Sequence, residues 1–135
     1  MHATIVIILV LHVLSGVFWA GSTFTLARTG GAGTEALFRP QMGAAAVAVL
    51  TGGLLWHLLH RGSPGTTEYI LAAGAVAAVV AAGVQGISGR WTVRKPAPAD
   101  QAEVAPQNAR IAMGQRVAAL LLAITVICMA AARYA

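Results

Sequence analysis

His12 is the residue in this chain best placed to do chemistry. It lies in the stretch HVLSGVFWAGSTFTLAR, one imidazole in an otherwise uncharged apolar run that Arg28 closes. Hydrocarbon offers an imidazole nitrogen no partner, so an ionisable residue within a membrane span turns toward the bundle interior or a polar cavity. At 100° per residue, Gly16 lies about 40° from His12, Trp19 about 20° to one side and Thr23 about 20° to the other, so the four share one helical stripe. Haem iron and copper both accept imidazole, and a quinone head group can accept a hydrogen bond from it. Spacing does not choose among the three.

A second imidazole pair stands near the end of GAAAVAVLTGGLLWHLLH, where Gly53 precedes His57 by four residues and Trp56 precedes His60 by four. His57 is the deeper of the two. If the first two spans are neighbours, one cofactor can sit between His12 and His57. The bland alternative is that His12 bonds a carbonyl or Ser15 in a packed core, while His57 and His60 are interfacial residues near a helix end. Met113, Met129 and Cys128 are soft groups that suit copper, although an isolated Met in an apolar helix is most often filler. The four acidic residues, Glu35, Glu68, Asp100 and Glu103, fall in loops or at helix ends. A carboxylate proton relay, a hydrolase dyad and a Ser/His/Asp triad therefore have no acid inside the spans. With Cys128 the only cysteine, no intramolecular disulfide or CxxC site can form.

Four apolar segments must position these residues. Of the 135 residues, 58% are hydrophobic and 10% charged, and the mean hydropathy is +0.75, far from an ordinary soluble domain. Lipid admits only helices or closed barrels, so the β-branched run ATIVIILVL reads as helix. We expect an all-α, integral membrane four-helix bundle of up-down topology forming a single domain over residues 1–135. The spans fall at about 3–27, 41–59, 69–88 and 111–132, with Pro40 in the first turn of the second and a polar loop over 90–110. The first span lacks a basic n-region and reads as a retained helix, not a cleaved signal. The short breaker cluster RGSPGTTE makes spans two and three a hairpin. The glycines of spans two and three read as packing residues, with backbone clearance for a flat macrocycle as the alternative.

The net charge of +5 comes from basic residues flanking the spans, which fits orientation and anionic lipid better than nucleic acid. Arg28 and Arg39 lie in the first connection, Arg61 alone in the second, and Arg90, Arg94, Lys95 and Arg110 in the third. The positive-inside rule then puts the first and third connections in the cytoplasm and both termini outside, in a bacterial-type inner membrane. Arg28, next to the His12 stripe, is placed to bind an anionic substrate approaching from the cytoplasm.

His12, with Trp19 seven positions on and Arg28 nine further, resembles the first span of the HemJ-type protoporphyrinogen IX oxidases. The Trp19-Ala20-Gly21 step and FRPQMGAAAVAVLTGGLL are similar to the CopD-type copper-resistance membrane domain. The resemblance covers chiefly residues 11–56. It implies a four-helix membrane fold and haem b held through His12, with Trp19 beside it. Three expectations follow: a haem b redox protein, and with it a haem-dependent membrane oxidoreductase, passing electrons between a quinone and a small substrate with His12 and His57 as ligands; a copper-handling protein using His12, His57 and Met129; or a structural subunit without a cofactor, working in a homo-oligomer or membrane complex.

Overall fold

The computed structural model describes residues 2–60, 62, 65–94 and 101–135, with side chains except at 91–94 and 101–104. The chain forms four helices in sequence: α1 (His2–Arg28), α2 (Thr34–Leu59), α3 (Thr66–Arg94) and α4 (Gln101–Ala131). All four contain segments long and apolar enough to cross a membrane. The protein is an all-α four-helix bundle and a multi-pass membrane protein. Each helix packs on two others, α1 on α2 and α4, and α3 on α2 and α4, so the four close into a ring. Arg61, Lys95 and the middle of the 90–110 connection lie outside the described residues.

Four helix boundaries differ from those read off hydropathy. α2 starts at Thr34, not near Gln41, and Pro40 lies inside it instead of in its first turn. The reason is local: Gly33 takes φ 89°, the Thr34 hydroxyl donates to the Gly31 carbonyl at 2.6 Å, and Glu35 favours the positive end of the helix dipole. α3 begins at Thr66, three residues before the apolar run, because the Gly65 amide donates to Glu68 Oε2 at 2.8 Å, half of a capping box. The expected loop at 90–110 is mostly helical, since α3 runs on to Arg94 and α4 starts at Gln101. The segment QAEVA is rich in good helix formers, so helix outlasts the apolar span that hydropathy detects. At the other end of α1 the chain stops cleanly. Gly30 has φ 65° and the Gly31 amide reaches back to the Leu26 carbonyl at 2.9 Å, the six-to-one bond of a Schellman turn.

The interior is built from small residues. Ala45, Ala48, Ala78, Ala81 and Ala118 are buried around Trp19 and Leu122. Large apolar side chains face outward instead: Val17, Leu50, Val76, Leu120 and Ile127 are all exposed. Lipid is as apolar as leucine, so helices in it associate through close backbone approach and polar contacts, which small residues permit. Glycines set that approach at specific points. A Cβ on Gly74 would meet the Cys128 Cβ at 3.0 Å, and one on Gly114 would meet the Ser88 hydroxyl at 2.5 Å, so both lie where α3 and α4 touch. The packing role expected for the glycines holds at Gly74 and at Gly89, whose Cβ would enter the Phe38 ring.

Candidate functional site

Two polar features occupy the bundle interior, one above the other along α1. The first is a girdle of amides to which every helix contributes. Trp19 Nε1 donates to Gln85 Oε1 at 2.6 Å, and Gln85 Nε2 donates to Thr23 Oγ1 at 2.8 Å and Gln115 Oε1 at 3.0 Å. Gln41 Nε2 reaches Thr23 Oγ1 at 3.0 Å, and Gln115 Nε2 reaches Gln41 Oε1 at 3.4 Å. Thr23 passes its own proton to the Trp19 carbonyl at 2.7 Å. Thr23, Gln41, Gln85 and Gln115 are completely buried. An amide in a low-dielectric interior is costly unless each end is paired, and here each is.

The second feature is a cavity of about 320 Å³ on the far side of Trp19, lined almost entirely by apolar atoms. That volume lies within the range of small-molecule and cofactor pockets, about 300–1,000 Å³. Its walls are made of small residues: Gly16 and Ala20 from α1, Gly52 and Gly53 from α2, Ala75 and Ala78 from α3. Beyond the local backbone of their own helices, no atom of the described residues lies within 4 Å of where a Cβ would stand on Gly16 or Gly53, so their missing side chains contribute open space. Gly53, Ala75, Val79 and Val126, all on this wall, are also exposed, so the cavity opens toward the lipid-facing side.

His12 lines this cavity, half-buried, and its ring is held from α2. Its Nδ1 lies 2.9 Å from the Ala48 carbonyl and 3.2 Å from Thr51 Oγ1. A carbonyl only accepts, so Nδ1 carries the proton. The Thr51 hydroxyl spends its own proton on the Val47 carbonyl at 2.6 Å and offers Nδ1 a lone pair. The neutral imidazole then has its free lone pair on Nε2, which makes no hydrogen bond among the described residues. Gly52 makes this approach possible, since a Cβ there would stand 2.9 Å from His12 Cε1.

The structure brings together three of the four stripe residues, His12, Gly16 and Trp19, on one cavity wall, while Thr23 enters the girdle. It does not bring His57 to them. His57 is exposed and outside the cavity lining, because it follows Gly52 by five residues, about 140° further round α2. His12 and His57 therefore do not share this cavity. His60 stacks on Trp56 with ring centroids 5.2 Å apart, and its Nδ1 is buried without a partner among the described residues, also away from the cavity. Arg28 is exposed at the end of α1, sixteen residues or roughly 24 Å along the helix from His12, and does not line the cavity.

Sequence reasoning did not join Gln41, Gln85 and Gln115 into one site. The signal was present: three glutamines, one in each of three apolar helices, can hold such helices together only by pairing with one another. Compared with known proteins, the chain matches no family model, no curated protein and no solved structure.

Proposed function

We propose that this chain is a haem b-binding electron-transfer protein of the plasma membrane, with Nε2 of His12 as an axial ligand. One observation carries the reading: a histidine on the wall of an apolar cavity built from glycine and alanine has its Nδ1–H fixed on the Ala48 carbonyl, which leaves its other ring nitrogen uncommitted. A backbone carbonyl on the distal nitrogen is the usual second contact of a metal-bound histidine, since it fixes the tautomer and raises the basicity of the ligating nitrogen.

The same tautomer separates the alternatives. With Nδ1 protonated, Nε2 accepts and does not donate, so it cannot hydrogen-bond a quinone carbonyl, whereas it can bind a metal. Between iron in a macrocycle and bare copper, the broad apolar wall favours the macrocycle, because a single ion would use almost none of it; a haem is larger than about 320 Å³ and would project through the opening between Gly53, Ala75, Val79 and Val126. No three His, Cys, Asp or Glu side chains converge among the described residues, so a copper cage of such ligands has no donors here. Bound haem would supply one-electron chemistry. The chain's own part is to hold the iron at His12, to keep water out with apolar walls, and to fix Trp19 against the cavity through Gln85.

The orientation that fits places the arginine-flanked ends of the bundle, with the α1–α2 and α3–α4 connections, in the cytoplasm. The cavity then lies in the outer half of the membrane, open to lipid, where a quinol or a membrane partner can exchange electrons with it. The test is spectroscopic. Protein purified from haem-replete cells should show a Soret band that His12→Ala abolishes while the variant still inserts and remains monodisperse. A colourless preparation containing copper would replace this reading with the copper-handling one, and a colourless metal-free preparation would leave only a structural role.

A further inference from the structure

We infer that Met129 is the second axial ligand, so that the cavity is a histidine–methionine site assembled between α1 and α4; this rests on the haem reading above. The inference comes from accounting for every side-chain lone pair on the cavity wall. Its lining contains four side chains that bear a heteroatom: His12, Trp19, Thr125 and Met129. Trp19 is donor-only and its N–H is taken by Gln85. The Thr125 hydroxyl is turned onto the Gly74 and Leu121 carbonyls, both at 3.0 Å, and a neutral hydroxyl is a hard oxygen donor that suits magnesium or calcium better than haem iron. His12 has Nδ1 committed to Ala48 and Nε2 open. That leaves two uncommitted bases on an otherwise hydrocarbon wall, an imidazole nitrogen from α1 and a thioether sulfur from α4.

The placement suits the chemistry. Met129 lies one helical turn beyond Thr125 toward the chain's C-terminus, and it is 37% exposed, so its unbranched side chain has room to swing about its rotatable bonds. α4 packs directly on α1, and the cavity lies against both. His57, the other residue able to supply a second ligand, is on the outside of α2. A thioether is a weaker donor than imidazole and favours the reduced ion, so a histidine–methionine pair holds the iron at a higher reduction potential than two histidines would.

The experiment uses the full chain, purified with haem in detergent, and three readouts: the sulfur-to-iron charge-transfer band of the ferric protein, the reduction potential, and carbon monoxide binding to the ferrous protein. The wild type should be low-spin, show the band and resist carbon monoxide. Met129→Leu should keep its haem content through His12 yet lose the band, become high-spin and bind carbon monoxide readily. Met129→His should restore the low-spin state at a lower potential without the band, which excludes misfolding as the cause of the first result. A wild type that contains haem but lacks the band, or a Met129→Leu protein whose spectrum and carbon monoxide binding are unchanged, overturns Met129 as ligand and leaves His12 standing. A wild type that binds no haem overturns both readings together.

Discussion

Gly52 tests how tightly His12 is held. A methyl group there would overlap the imidazole, with 2.9 Å between the new carbon and Cε1, so the ring must tilt and Nδ1 leave the Ala48 carbonyl. We expect Gly52→Ala to insert and fold but to bind haem on the order of 10-fold more weakly, the usual cost of losing the contact that orients a metal ligand; titration of the apo-protein with haemin measures it. Gly16 makes the opposite case. Its Cβ position is empty space on the cavity wall, so Gly16→Leu should leave the bundle's stability nearly unchanged while filling the volume a macrocycle needs. Equal haem binding by Gly16→Leu would mean the ligand lies elsewhere. At this scale the inward stripe of His12, Gly16, Trp19 and Thr23 was legible from 3.6-residue periodicity alone. The face occupied by His57 was not, because which side of α2 meets α1 depends on how the two helices rotate against each other, and both sides of α2 are apolar.

At the level of elements, the girdle fixes how the four helices meet. Replacing Gln85 by Leu removes three bonds at once, to the Trp19 indole N–H, the Thr23 hydroxyl and the Gln115 carbonyl oxygen, and strands the indole, while Thr23 and Gln115 keep Gln41 as a donor. Interhelical hydrogen bonds in membranes contribute about 0.6 kcal/mol each. Three of them give a loss of about 2 kcal/mol, measurable as a lower unfolding midpoint in mixed micelles. Trp19 is shared between girdle and cavity, so the same variant should also perturb the Soret band, whereas Ser88→Ala, whose hydroxyl bonds only the Val84 and Gln85 carbonyls of its own helix, should leave it alone. Four spans could be read from hydropathy, since each carries an unbroken apolar stretch. Their real lengths could not, because hydropathy stops where charges start, while Thr34, Glu35 and the QAEVA segment go on forming helix beyond the apolar stretch.

Taken whole, the molecule is apolar outside and polar at its centre, the reverse of a soluble bundle, as a lipid solvent requires. Its exposed arginines Arg28, Arg39, Arg90, Arg110 and Arg116 gather toward the end of the bundle that holds the α1–α2 and α3–α4 connections. If that end is cytoplasmic, a single cysteine at Asn108 in a Cys128→Ser background should react with a membrane-impermeant maleimide only after the cells are opened. Labelling in intact cells would invert the topology and with it the placement of the cavity. The ring order of the helices lay beyond sequence reasoning altogether: short connections make neighbours antiparallel, yet they do not say that α1 meets α4.

The girdle also has an electrical consequence. Amides, an indole and a hydroxyl take up and release no protons in the physiological range, so the contacts that close the bundle carry no net charge. A transmembrane voltage does work only on charge, about 2.3 kcal/mol per elementary charge per 100 mV, and so exerts no pull on them. Energising or de-energising the membrane therefore does no work on these contacts, and the field acts instead on the charges around them, such as Arg116 beside Gln115 on α4.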